Sequence, residues 1–227
     1  MSAGTFHSPE HPPIHPRRGA RDWLELMGKD HGFLRLSWHN LHQIDEQMWR
    51  SNQPTPGRIA DYAEMGIKTI INLRGERNDG GWRLEAEACY KHQITLVDFT
   101  ARSRAAPDKK MLHDTAALFA QIQTPALLHC KSGADRAGLM SALYLLICCN
   151  ADASTALEQL TFKKHLHVSQ AKTGLLDAFI QAYAPYQQQG MTFFDWVDNI
   201  YDPHSMQKNF MAKGWANRLV DDVLNRE

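Results

Sequence analysis

Apolar positions along the chain recur with a period that switches repeatedly between that of a strand and that of a helix. "FLRLSW" (33–38) and "MWRSNQ" (48–53) read as strands flanking the turn-rich "HNLHQID". "TPGRIADYAEMG" reads as a helix, with Thr55 as N-cap, Pro56 at the first position and Gly66 as its stop. "IKTIINLRG" is β-branched with few charges until its end, the pattern of a buried strand. "GWRLEAEACYKHQ" is helical and "ITLVDF" strand-like; "DKKMLHDTAALFAQIQ" is again helical and "PALLH" again a buried strand. "AGLMSALYLLICC" is apolar on nearly all sides, as a central helix packed on a sheet would be.

Strands alternating with helices predict an α/β fold: a central, mostly parallel sheet flanked by helices. Beyond Asn150 the pattern is helical, through "ASTALEQLTFKK", "TGLLDAFIQAYAPY" and the segment from Thr192 onward. The Trp, Phe and Met residues of this tail read as core contacts of amphipathic helices. The expected organisation is a flexible arm over residues 1–18, a main domain over 19–185 and a helical extension over 186–227 packed on it. The arm is rich in Pro, His and Ser, with little to bury. His7, His11 and His15 recur every four residues, but the prolines between them forbid the helix that would align them on a metal, so no metal is expected there.

Lys+Arg and Asp+Glu both number 25, a formal net charge of +0, so the chain lacks the global basic field of a nucleic-acid binder. Any anion site must be local. The start shows no apolar stretch of a secretory signal, and "GLMSALYLLICC" is too short to span a bilayer. Cys89, Cys130, Cys148 and Cys149 form no C-x-x-C pair, and they read as reduced thiols of a cytoplasmic protein without stable membrane insertion.

The chemistry concentrates in "HCKSGADRAG" (129–138), between the last strand and the apolar helix. In open α/β sheets ligands sit beyond the carboxyl ends of strands, where loops lead into helices. A helix N-terminus and successive loop N–H groups there make a concave, positive site that favours a thiolate at Cys130 and holds a phosphate dianion. Gly133 and Gly138 permit tight turns and close approach. Arg136 offers a planar fork for two oxygens. Cradle, nucleophile and clamp within seven residues specify attack on phosphorus.

H-C-x-x-G-x-x-R resembles the signature of the cysteine-dependent protein tyrosine phosphatase superfamily. The form here is most similar to its dual-specificity and phosphatase-and-tensin-like branches and to bacterial members with an Asp before the Arg. "MWRSNQPTPGRIADYAEMGIKTIINLRGE" is similar to the entry segment of such enzymes, and the resemblance covers about residues 34 to 185. It implies a hydrolase with a phosphocysteine intermediate on Cys130. Lys131, Ser132, Gly133, Ala134, Asp135 and Arg136 would bind the phosphoryl group, Arg136 also stabilising the transition state, and His129 would orient the cysteine. It implies no metal and no cofactor. The general acid would be an Asp on a loop before the cysteine. Asp98, 32 residues upstream, fits best; Asp108, which also reads as a helix N-cap, and Asp135, inside the loop, are the alternatives. The residue after the arginine is Ala137, where the family usually has Ser or Thr. That makes a catalytically weak phosphate-binding module the alternative to an enzyme; a rhodanese-like protein is a distant third. Arg102, Arg104, Lys109, Lys110 and Lys131 would ring the mouth and suit a polyanionic substrate: a phosphorylated protein or peptide, an inositol phosphate or a phospholipid headgroup. "HLH" (165–167) reads as a loop packed near the phosphate pocket, and the sequence leaves the oligomeric state open.

Overall fold

The computed structural model describes residues 4–29, 38–170 and 172–212. Six strands form one sheet: β1 (Thr5–His7), β2 (His42–Gln43), β3 (Met48–Asn52), β4 (Thr69–Asn72), β5 (Thr95–Asp98) and β6 (Ala126–Cys130). Their order is β1-β5-β4-β6-β3-β2. The inner four run parallel, and β1 and β2 are antiparallel edges. The mostly parallel sheet is thus present, with mixed edges. β6 lies between β4 and β3 and is buried along its whole length, which is why "PALLH" shows no alternation.

The helices are α1 (Ala20–Leu24, running into a π-helical turn over Glu25–Lys29), α2 (Pro56–Glu64), α3 (Gly80–Lys91), α4 (Lys109–Gln121), α5 (Asp135–Ile147), α6 (Ala153–Leu157), α7 (Phe162–His165), α8 (Gly174–Gln188) and α9 (Phe193–Asn199). Residues 203–212 are also helical. Among the described residues no helix is long and apolar enough to cross a membrane.

Successive strand residues face opposite sides of the sheet. Ile70, Leu96 and Leu127 pack with Ile59 and Tyr62 of α2 and with Trp82 and Cys89 of α3. Ile71, Val97, Leu128 and Cys130 pack on the other side with Leu112 of α4, Met140 of α5, Phe179 of α8 and Trp196 of α9. Phe193, Trp196 and Tyr201 of the tail join this second core: Trp196 lies 5.6 Å from Phe179 and 4.9 Å from Tyr201, ring to ring. The two faces also separate neighbours at the end of β6. His129 points to the α3 side, where it meets Glu85, and Cys130 to the α5 side.

Part of the segment expected to be a flexible arm is a strand. Thr5–His7 pair with Asp98, Val97 and Leu96 as the edge strand β1. Composition missed this because edge pairing uses backbone N–H and C=O groups, which carry no compositional signal. Of the strand predicted over 33–38, residues 33–37 lie outside the described residues, as do residues from 213 on.

α1 is fastened to α3 by charge. Arg83 donates to Asp22 Oδ1 from Nε at 2.9 Å and from Nη2 at 2.6 Å, and its Nη2 lies 3.0 Å from Glu25 Oε2. The Arg83 and Asp22 side chains are 1% and 0% exposed. Burial works against a charge on Asp22, yet the Arg83 bonds hold its carboxyl below the usual range. Removing one partner would leave a buried charge unpaired. Arg83→Ala should therefore lower unfolding stability by about 3–5 kcal/mol in urea titration; a loss under about 1 kcal/mol would show that water reaches Asp22 freely.

Candidate active site

Cys130 ends β6, in register with Asn52 of β3. The chain then turns through residues 131–134 into α5. α3, α4, α6 and α9 start on side chains that cap them: Asp79, Asp108, Asp152 and Thr192. α5 starts on Ala134, which can cap nothing, so its first-turn N–H groups remain for an external acceptor.

The loop's peptide groups are turned by their carbonyls. Lys131 O accepts from the Gln53 N–H at 3.4 Å. Ser132 O accepts from Asn40 Nδ2 at 3.1 Å. Gly133 O and Ala134 O accept from one guanidinium nitrogen, Arg50 Nη2, at 2.7 and 3.2 Å. A peptide unit is planar and trans, so each carbonyl held outward points the following N–H the opposite way. Four consecutive N–H groups, those of residues 132 to 135, therefore face away from these donors and form a concave nest for an anion, although that of Ala134 also donates to Ser132 Oγ at 3.4 Å.

Arg50 lies in β3 and is fully buried. It also donates to Gln159 O at 2.7 Å and Gln159 Oε1 at 3.0 Å. Burial pushes its pKa down to about 10, against the pull of nearby Cys130, and it stays charged at neutral pH. Gly133 has φ 77°, and a Cβ there would lie 2.8 Å from the backbone of Ser51 and Asn52. A Cβ on Gly138 would lie 2.8 Å from Gln159 O. Both glycines of the motif are thus required by close packing of the loop on β3 and on the turn after α6.

Two side-chain networks flank the loop. His129 Nε2 lies 2.5 Å from Glu85 Oε1, and both side chains are fully buried. Glu85 Oε2 accepts from Gln53 Nε2 at 2.9 Å, and Gln53 Oε1 accepts from Arg74. On the other side His167 bridges Asp135 Oδ1 (Nδ1, 2.8 Å) and Asp177 Oδ2 (Nε2, 2.9 Å). Burial opposes a charge on His167, but its bonds to the two carboxylates outweigh that and push its pKa up to about 9. His165 is the reverse case. Burial, aided by Arg50, His42 and Lys164, pushes it down to about 3, and it stays neutral.

Residues 37–175 match the family described as DSP-PTPase phosphatase fused to NAD+ kinase. The chain belongs to this family. The dual specificity protein phosphatase TpbA of Pseudomonas aeruginosa (strain UCBPP-PA14) is 25% identical over 122 residues, 53% of each protein. The chain thus spans about half the length of the curated relatives it matches. The crystal structure of P. aeruginosa TpbA aligns with a TM-score of 0.50 at 19% identity, over 77% of this chain and 91% of that one. A Shewanella putrefaciens CN-32 structure aligns at 0.52 and 15%, over 68% and 95%. At such identities the likeness carries the fold.

The residues expected to form the family's phosphate loop lie together. Cys130, Gly133 and Ala134 are buried; Lys131, Asp135 and Arg136 are half-buried and Ser132 is exposed. Asp98 is not brought to them. Its carboxylate accepts from Trp82 Nε1 (2.9 Å), Asn72 Nδ2 (2.6 Å) and His7 Nε2 (2.8 Å), on the α3 face, whereas Cys130 belongs to the α5 face. Residue spacing counts along the chain and is blind to which face a strand residue takes. Asp108 caps α4, accepting from the Met111 N–H at 2.8 Å. The expected basic ring is only partly assembled. Lys109 donates to Asp198 O and Lys110 pairs with Asp114, while Arg102 lines an open cleft of about 530 Å3 beside α4. The 165–167 segment does pack on the loop: His165 O accepts from Asn40, and His167 holds Asp135. Sequence reasoning missed Arg50, Asn40, Gln53 and Glu85. The signal at Arg50, Ser51 and Asn52 was three polar residues in a row on a strand that the fold must bury.

A His pKa raised by folding makes stability fall as pH rises. The His167 contribution should be complete below about pH 6.5, the unfolded value, and disappear as pH climbs through about 9. Thermal melts between these limits should show a progressive loss that His167→Gln removes. An unchanged pH profile in that variant would contradict the bridge.

Proposed function

We propose that this chain hydrolyses phosphate monoesters through a phosphocysteine on Cys130. The observation that supports it most is the outward hydrogen bonding of four consecutive loop carbonyls, which turns the N–H groups that follow them toward the place of the phosphoryl oxygens. In this reading the Cys130 thiolate attacks phosphorus, an S–P bond forms, and the ester P–O bond breaks with the pair leaving on oxygen. Water then attacks phosphorus and the thiolate departs, giving inorganic phosphate. Arg136, on the first turn of α5, provides two donors to the equatorial oxygens, whose charge is greatest in flight. His129, braced by Glu85, positions the cysteine backbone; its Nδ1 lies 3.4 Å from Cys130 O.

No aspartate is assigned as general acid. Asp98 serves the α3 face, Asp108 closes α4, and Asp135 is hydrogen-bonded to His167. The segment 99–107, between β5 and α4, contains no carboxylate. The leaving group then departs without a proton, and rates should follow its acidity closely. The natural substrates fall in the class of phosphorylated proteins, peptides or polyanionic headgroups, reached from the cytoplasm. Residues 19–185 form the phosphatase unit, with the following helices closing its α5 face.

Assays on a series of aryl phosphates test this. Cys130→Ser should abolish turnover yet still bind orthovanadate, and Arg136→Lys should lose most activity because an ammonium cannot supply the fork. Asp98→Asn should leave the slope of log kcat against leaving-group pKa unchanged. If it instead costs roughly 10²–10⁴ on poor leaving groups alone, Asp98 is the acid after all.

A further inference from the structure

The prolines of the N-terminal segment do forbid a helix, but they do not keep its histidines apart. The segment folds back across Trp82. The rings of His7 and His15 each stand 5.4 Å from the indole, edge-on at 74° and 72°. His7 Nε2, Glu76 and Asp98 place one ligand atom each within 4.8 Å of one another. His15 Nε2 lies 3.3 Å from Glu76 Oε1, beside this three-residue group but outside it. His11 stays outside this group and is exposed.

The carboxylate at the centre is oriented from behind. Asp98 Oδ1 accepts from Asn72 Nδ2 and Oδ2 from Trp82 Nε1, and Oδ2 also lies 2.8 Å from His7 Nε2. Outer donors of this kind fix metal-ligating carboxylates in place. The side chains range from 2% exposed at Asp98 and 16% at His7 to 31% at His15 and 35% at Glu76. The group therefore has a buried floor and an open entrance. Two carboxylates and one imidazole supply hard oxygen and borderline nitrogen donors, and two negative charges balance a dication. Calcium and magnesium prefer all-oxygen sets, whereas zinc accepts mixed nitrogen and oxygen donors, with water in an open fourth position.

We propose that His7, Glu76 and Asp98 bind a first-row divalent cation such as Zn²⁺, with His15 held against Glu76 at its entrance, and that this ion fastens the N-terminal segment to the sheet edge. The ligands come from β1, the β4–α3 connection and the end of β5. An ion there would bind the folded chain and hold β1 on β5. The site is separate from Cys130 and lies on the other face of the sheet, so it does not depend on the phosphatase reading.

The full chain, stripped with a chelator, should take up one equivalent of Zn²⁺ by titration calorimetry and show a raised melting temperature with it. Co²⁺ in its place should give the visible d–d bands of a tetrahedral nitrogen–oxygen site, without a thiolate charge-transfer band. His7→Gln and Glu76→Gln should each weaken binding at least about tenfold. Glu76 is exposed in a loop, so its loss does not endanger folding. His11→Gln and Cys130→Ser should bind as the parent does. Absence of uptake, uptake unaffected by His7→Gln and Glu76→Gln, or loss of binding in Cys130→Ser would each overturn the proposal.

Discussion

The orientation of the four peptide groups from Lys131 to Ala134 is the constraint on which the site depends. A free loop would let its carbonyls point in either direction, and an inward carbonyl repels a phosphoryl oxygen. Here each is bound from outside, and Arg50 alone holds two. A fully buried guanidinium is an expensive way to stabilise a fold, since desolvation offsets most of what its bonds return. Its place is better understood through geometry: one planar fork reaches carbonyls and a neighbouring turn together, which a lysine or glutamine cannot do. The same charge lies close enough to Cys130 to attract a thiolate.

Much of the architecture follows from seating that fork. Arg50 needs β3 beside β6, and the pairing of Asn52 with Cys130 sets the level at which the loop leaves the sheet. The backbone of Ser51 and Asn52 then comes so near the loop that residue 133 must be glycine. Gln159, beyond the central helix, holds the other side of Arg50 and in turn demands glycine at 138. His167 and Asp177 anchor Asp135 at the first turn of α5, and Glu85 anchors His129 at the end of β6. Strand, loop and helix are therefore fixed relative to one another by polar contacts, while the apolar cores on each face hold the sheet.

The elements from β3 to α5 were legible in the sequence because each has its own period and stop signals, as at Pro56 and Gly66 or along the unbroken "PALLH". The loop was legible because cysteine, glycine and arginine at fixed offsets carry a chemical meaning independent of distant residues. What could not be read depends on tertiary placement. β1 is three residues in a proline-rich stretch and exists only because β5 offers an open edge. Arg50 and Asn40 act on a loop about ninety residues away. Asp98 has the spacing of an acid but the face of a structural residue, and a one-residue step along β5 decides between the two. His7 and His15 meet through a fold in the chain, not through helical spacing.

The inward-facing amides are the central claim, and amide NMR reads them directly. Titrating ¹⁵N-labelled protein with orthovanadate should shift the N–H resonances of residues 132–135 far more than others. Arg50→Lys should abolish that pattern while leaving the sheet resonances in place. Shifts centred elsewhere, or a vanadate response in Arg50→Lys equal to that of the parent chain, would contradict the account.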